Sequence, residues 1–507
     1  MATNVIDTAF HPESSTSPAR CAAHQLEGVQ RQRLAIDILA GSGSVTELAE
    51  RHQVSRKFLY QQADKGEQAL TEVFSPPPPG EEKVLFYLPV TKAWLKHVVL
   101  ALVLVCHSSL RGVVEFFRDV LDCPIALGSV HAILMQAVAQ VRQLNAVEDL
   151  SAVRAGGHDE IFQSGQPVLV GVDLDSTYCY LLAAEESRDG ETWAIHLWDL
   201  TAQGLQPDYT VADGGKGLRA GQALAWPEVP CHGDTFHAAQ ELGRLCQRLD
   251  NRAYAAINAC DRLERMMHKA KQQHQGQRLS TALAQARQRQ TQAIAVADQV
   301  RTLAQWLQED ILAFAGPEVA TRQALYDFVI DALALLERCE RRIQPLRQRL
   351  ANQRDALLAF ARDLDQALAE LASCYAVPLK TVRELLHWHH CPANTHAYWQ
   401  QGAELQRHLR GRFFPLHQEL QILADHLHRA SSLVENLNSR LRNYFFLRRD
   451  IGSASLPLLR FFLNHRPYLR SAKPERRGKT PAQLLTGQDH PHWLEMLGFQ
   501  RFRRMAT

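Results

Sequence analysis

The sequence has no long apolar run, no CxxC pair and almost no net charge. Its longest hydrophobic stretch, Val98–Cys106, falls far short of the roughly 20 residues that a membrane-spanning helix needs. A buried helix and no membrane contact are therefore expected. Ten cysteines are scattered without pairing, and no secretory leader is recognisable. Reduced thiols in a cytoplasmic protein are expected rather than a disulfide framework. A net charge of +2 over 507 residues names no partner. What is present is ordinary for a globular protein of several domains, with 46% hydrophobic and 22% charged residues and ample length for a core.

The charge is unevenly spread. From Asn436 to Lys479 eleven arginines and lysines face only Asp450 and Glu475, a balance that suits a polyanion or, equally, a solvated basic face. At the other end, residues 1–26 are rich in Ser, Thr, Pro and Ala without periodicity, and a flexible start is expected. Residues 27–74 then carry three helical patterns. Leu34, Ile36, Ile38 and Leu39 mark the first, and Val45, Leu48 and Ala49 the second. Val54 ends a tight turn, Ser55 is an N-cap candidate, and Phe58 and Leu59 anchor the third. Helix, helix, turn, helix at these lengths resembles a helix-turn-helix DNA-binding module. Arg56, Lys57, Tyr60 and Gln61 would lie on the exposed side of its last helix, able to reach phosphates or base edges.

SPPPPG, within a linker at 75–82, marks a boundary. Residues 83–150 repeat the helical logic: Ser108 or Ser109 caps a helix through Leu121, Asp122-Cys123-Pro124 breaks it, and Ser129 begins another. A second helix-turn-helix-like domain is expected there, or an apolar face that serves packing alone. Over 151–240 the period changes. DEIFQ, PVLVGVD and TYCYLLAAE read as three strands of a meander, ETWAIHLWDLTAQG as a helix, and DYTVAD as a fourth strand, with a short strand near Val229–Cys231. Strand, strand, strand, helix, strand is the order that opens a ribonuclease-H-like fold. Residues 241–415 read as an all-helical insertion of long antiparallel or coiled-coil helices. Residues 416–465 resume the core, and 466–507 form a basic C-terminal tail. The expected class is a multidomain α+β protein: helix-turn-helix modules, then an RNase H-like α/β catalytic core interrupted by a large all-α insertion.

Three acidic residues carry the chemistry. Asp159 lies on the first strand, Asp213 ends the fourth and is followed by GGKGL, and Glu435 lies in the helical SSLVENLNSRLRNYFF. Two strand-borne aspartates and a helical glutamate, far apart in sequence, suit a two-metal phosphoryl-transfer site. Hard Mg²⁺ or Mn²⁺ ions take carboxylate oxygens, and a pair of them roughly 3.5–4 Å apart activates the attacking oxygen and stabilises the leaving one. Asp173 and Asp175 of VDLDS compete for the place of the first acid, Asp173 most directly. Asp159 leaves the proper number of strands before Asp213, and Glu160 belongs to the opposite face of the same strand.

With these acids in this order, the chain resembles a bacterial insertion-sequence transposase of the DDE type, in the retroviral-integrase superfamily. The resemblance covers about 155–240 and 425–500, with a helical insertion as in Mutator-like and hAT-like transposases. DGGKGL (213–218) resembles the segment around the second acid of Mutator-like enzymes. HGDTFH places Asp234 and His237 in a D-x-x-H variant of the C/D-x-x-H motif of those families, and VENLNSRLRNYF resembles the helix of the final glutamate.

The resemblance implies Asp159, Asp213 and Glu435 as catalytic and metal ligands for two Mg²⁺ or Mn²⁺ ions. It implies cleavage at transposon ends followed by strand transfer into target DNA, in a nucleoid-associated homodimer or higher homo-oligomer. Asp234 and His237 are expected to support the site from behind. Lys216, Asn438 and Arg442 are candidate DNA contacts, the last two because they follow Glu435 at i+3 and i+7 on one helical face. Ser439 at i+4 and Arg219 on the turn after Asp213 are weaker ones. A His-rich loop (His387, His389, His390, Cys391, His396) has zinc-like chemistry but no paired motif, and Trp306 suits either core packing or base stacking. A DNA-binding regulator without chemistry and another ribonuclease-H-fold nuclease remain the competing functions.

Overall fold

A computed structural model describes residues 22–75, 88, 90–272, 277–428, 432–447, 453–471 and 473–501. Most of the flexible start expected over 1–26 and of the linker at 75–82 lies outside them, as do Arg448, Arg449 and Asp450 of the basic stretch. The chain divides into two compact units, Met1–Pro89 and Val90–Thr507.

The first unit holds α1 (Gly28–Leu39), α2 (Val45–Arg51) and α3 (Arg56–Phe74). Ser44 caps α2 by accepting from the Glu47 amide while the Glu47 carboxylate returns the bond, and Ser55 caps α3 by accepting from Phe58 N. Leu34, Leu48, Ala49, Val54 and Leu59 form the core between them. Ile36 and Leu39, expected on the inner face, are 55% and 41% exposed. Ile36 lies about 200° around the helix from Leu34, so Ala35 and Ile38 share the inner stripe instead.

The second unit begins with α4 (Lys92–Leu104), α5 (Leu110–Leu121) and α6 (Leu127–Ala146). Ser109 caps α5 through the Gly112 amide, and Asp122 ends it in the left-handed conformation. These helices were expected to form a second helix-turn-helix-like domain or to present an apolar face for packing. They pack Val99, Leu100, Val113, Phe117, Val130 and Val138 into one core with strand residues Val168, Val170 and Val172. Leu127, two residues before the expected Ser129, opens α6.

The sheet consists of β1 (Ala155–Gln163), β2 (Gln166–Asp173), β3 (Cys179–Ala184), β4 (Tyr209–Ala212) and β5 (Cys231–Gly233), in the order β3-β2-β1-β4-β5. β1, β2 and β3 form an antiparallel meander, while β4 lies parallel to β1 and β5 parallel to β4. Ser164 and Gly165, both at positive φ, make the two-residue hairpin turn. Alternation along the strands sets the layers. Val168, Val170, Val172 and Ile161 face α4–α6, while Leu169 and Leu181 face α7 (Gly190–Ala202) and α8 (Lys216–Ala225) through Trp193, Leu197 and Leu218.

Directly after β5 the chain enters α9 (Thr235–Gln272), so the helical region opens six residues before the expected 241. α10 (Gln277–Gln305) runs back along α9, as the pairs Arg287–Glu264 and Arg301–Asp250 show. There follow α11 (Val319–Leu336), α12 (Gln344–Leu357), α13 (Ala359–Cys374), α14 (Leu379–His390), α15 (His396–Leu409) and α16 (Phe413–His426). Their apolar stripes fill two cores separate from the sheet's. Arg322, fully buried, ties the turn before α11 by donating to the carbonyls of Ile311, Ala313, Phe314 and Pro317.

α17 (Ser432–Leu447) and α18 (Leu456–His465) return to the sheet. The segment from 466, expected as a basic tail, is part of the same body: Trp493, Leu494 and Leu497 are buried in the main core, and Ala482 packs beneath α7 and α8. Its basic residues act as tethers. Arg476 donates to the Asp175 carbonyl and Lys473 to Asp425, while Arg460 of the preceding α18 donates to the Tyr180 carbonyl and to Glu148. Among the described residues no helix is long and apolar enough to cross a membrane, and the described cysteines are free thiols.

Candidate active site

Asp159 sits in mid-β1 with its carboxylate on the α17 face; its neighbours His158 and Glu160 point to the other. His158 is fully buried against Trp193 and Tyr180, where burial pushes its pKa down to about 4 and keeps it neutral. Glu160 accepts from the indole of Trp193 and pairs with Arg188. Register then places the second acid. His158 pairs with Ala212 of parallel β4, and Asp213 is the next residue, just past the strand's end; its charge acts on Asp159, but its carboxylate is not among the ligand atoms that cluster there.

The glycines of this region permit close approach. A Cβ on Gly157 would stand 2.6 Å from Val434 Cγ2 and from Leu174 Cδ2, so only a bare backbone lets α17 settle on β1. One on Gly214 would meet the Gln353 amide at 1.7 Å, and one on Gly217 the Arg188 carbonyl at 1.9 Å. The DGGKG loop is thus clasped between α12 and the turn before α7.

Docked this way, α17 delivers Glu435. Single ligand atoms of Asp159, His237 and Glu435 lie within 4.8 Å of one another, and among the described residues this is the one such grouping. Asp159 Oδ1 accepts from the Glu160 amide at 2.8 Å and Oδ2 from Asn438 Nδ2 at 2.6 Å. His237, on the first turn of α9, donates Nδ1–H to Asp234 Oδ2 at 2.7 Å, and its Nε2 lies 3.2 Å from Glu435 Oε1. Asp234 also caps α9, its Oδ1 accepting from the amides of Phe236 and His237.

The electrostatics are those of crowded acids. Burial pushes the Asp159 carboxyl up to about 7; the charges of Asp213 and Glu435 add to this, and the Glu160 amide and His237 oppose it. The hydrogen bond to Asp234 raises His237 to about 9, with Asp159 and Glu435 assisting. An imidazolium therefore stands among the carboxylates at neutral pH. A cluster that retains protons in this way is one that a divalent cation would relieve. The donors fit such a cation: two carboxylates and a nitrogen whose tautomer Asp234 fixes.

Asp213 opens onto a cavity of about 480 Å³, shared with Lys216, Arg219, His237, Arg349 and Gln353. The Gly215 amide donates to Asp213 Oδ1 at 2.8 Å, and Arg219 Nε donates to its carbonyl. Lys216 is exposed at the rim.

Several expectations change. Asn438, expected at DNA, is fully buried and holds Asp159, because its position on α17 shares the inward stripe with Val434 and Leu441. Ser439 and Arg442 are exposed on that helix, with Arg442 Nη1 3.7 Å from Glu435 Oε2. His237, expected behind the site, is in it; Asp234 is the residue behind. Asp173 stays apart from Glu435: its Oδ2 accepts from the Ser176 amide and hydroxyl, shaping the β2–β3 turn. Asp175 binds His426 and His428 instead.

Among the described residues the His-rich segment, whose His387, His389 and His390 lie on α14, forms no ligand cluster. His389 pairs with His417, and His390 bonds the Leu386 carbonyl. Trp306 is 40% exposed and packs against Phe328 at 5.8 Å. Arg349 and Gln353, which reach the cavity from α12, carry no signal in the sequence because they lie far along the insertion. No family model matches the chain, and no curated protein matches it.

Proposed function

We propose that this chain is a DDE transposase that cleaves DNA at transposon ends and joins the freed strand to target DNA. One observation carries the reading: Asp159 and Glu435, 276 positions apart in sequence, meet within 4.8 Å at His237, while Asp213 follows the β4 residue that pairs with His158. The strand order β3-β2-β1-β4-β5, with an antiparallel meander and two parallel strands, supports a ribonuclease-H-like core. The long helical region between the second acid and the glutamate supports the insertion expected of Mutator-like and hAT-like relatives.

Two Mg²⁺ or Mn²⁺ ions held by Asp159, Asp213 and Glu435 would polarise the phosphodiester and stabilise the leaving oxygen. The protein's own groups do the rest. Asn438 fixes the Asp159 carboxylate, and Asp234 aims the His237 ring. Two in-line displacements at phosphorus follow. Water attacks first and frees a 3′-hydroxyl; that hydroxyl then attacks target DNA. In the first unit, Arg56, Lys57, Tyr60 and Gln61 are all exposed on α3, which supports a helix-turn-helix role in end binding, with a homodimer or larger assembly pairing two ends.

The test is incubation of the purified protein with the DNA flanking its coding region and Mn²⁺. Nicked ends and joined products support the proposal. Binding without nicking indicates a DNA-binding regulator, and cutting without joining indicates another nuclease of this fold.

A further inference from the structure

The cavity at Asp213 continues beyond the acidic cluster. Its far wall includes Glu241 of α9 and Arg349 of α12, and these two residues also line a second cavity of about 230 Å³ with Arg244, Arg248 and Arg342. The two adjoin at the Glu241–Arg349 pair, whose atoms lie 3.1 Å apart. Glu241, Arg244 and Arg248 follow at i+3 and i+4 spacing and so share one helical face. From His237 to Arg248 this face spans roughly 16 Å at 1.5 Å per residue.

All four arginines are exposed. Arg349 is held by Glu241 and Arg244 by Gln240. Among the described residues no carboxylate pairs with the guanidinium of Arg248 or Arg342, although the Arg342 backbone amide donates to Glu340, and none pairs with the Lys216 ammonium at the other end. One glutamate thus faces four guanidinium groups on α9, on α12 and on the short helical turn Arg341–Ile343 that leads into α12. Such like-charge crowding costs stability unless an anion occupies the furrow. Guanidinium forks match phosphate oxygens, and a row of them along a furrow suits a chain of phosphates better than a single small anion.

We propose that the α9–α12 furrow holds the phosphate backbone of the DNA strand leading away from the acidic cluster. Its direction rests on the phosphoryl-transfer reading; its affinity for DNA does not. The experiment uses the full chain in EDTA, a fluorescein-labelled 30-base-pair DNA duplex of arbitrary sequence, and KCl from 50 to 300 mM. Arg248→Glu/Arg342→Glu is compared with wild type and with Lys380→Glu/Arg407→Glu, an equal charge change at exposed positions on α14 and α15.

The furrow variant is expected to weaken binding at least tenfold and to reduce the slope of log Kd against log[KCl] by about two, the effect of losing two phosphate contacts. The control is expected to match wild type. Equal slopes in furrow variant and wild type overturn the proposal, as does an equal loss in the control. Circular dichroism spectra that superimpose with wild type guard against misfolding. If the wild type never nicks DNA, the transposase reading fails while this comparison still decides the furrow.

Discussion

Asn438 donates its side-chain amide to Asp159 Oδ2 at 2.6 Å, joining residues 279 positions apart in the chain. The contact is buried at both ends. Residues that orient a metal-binding carboxylate from behind typically change activity or metal affinity by about 10–100-fold when lost. Asn438→Ala is therefore expected to lower the Mn²⁺-dependent nicking rate by that factor while binding DNA as wild type does. An unchanged rate at limiting Mn²⁺ would remove Asn438 from the site.

Gly157 sets how deeply α17 sits. Gly157→Ala places a methyl against Val434 and Leu174, and overpacking of this kind costs about 1–3 kcal/mol. The variant should melt lower and nick more slowly, because Glu435 follows Val434 directly. Gly157→Ala/Val434→Ala should recover part of both losses. A double variant no better than the single would show that α17 is positioned elsewhere.

Proton binding at the acidic cluster gives a pH signature. Asp159 is pushed up to about 7 and His237 to about 9, against ordinary values of about 4 and 6.5. Between those limits the folded chain holds protons that the unfolded chain has released, so these groups lose their stabilising contribution as pH rises. Without divalent ions, the melting temperature should fall from pH 6.5 to 9, and His237→Gln should flatten that fall. Mn²⁺ should raise the melting temperature more at pH 8 than at pH 6, since it displaces those protons. A larger gain at pH 6 would contradict the assignment.

Arg322 closes four backbone carbonyls at the turn before α11. Arg322→Ala leaves them buried without donors, at a cost of about 3 kcal/mol or more. Denaturant unfolding should show that loss, and a value below about 1 kcal/mol would mean that water replaces the guanidinium.

Much of this arrangement was legible in the sequence because it rests on local patterns. Alternating runs gave the strands, Ser55 and the Ser108-Ser109 pair gave helix starts, and DYTVAD followed by GGKGL marked Asp213 as an acid at a strand's end. What escaped depends on tertiary contact. The i+3 spacing put Asn438 near Glu435 but could not say that this stripe faces the sheet. D-x-x-H put His237 near the site, yet only the start of α9 at Thr235 turns its ring inward. The GG pair of RAGGHDE was a sign of close packing that passed unread. Arg349 and Gln353 lie more than 130 residues after Asp213, and no local pattern could bring them to its cavity.

The most direct test of the central claim is single-turnover nicking of flanking DNA by Asp213→Asn in Mn²⁺. The substitution keeps size and the acceptor for the Gly215 amide but removes one charge from the acidic group. The expected result is wild-type DNA affinity with nicking reduced about a thousandfold or more, in line with loss of several kcal/mol of transition-state stabilisation. Nicking within twofold of wild type would show that Asp213 takes no part in the chemistry and would contradict the account.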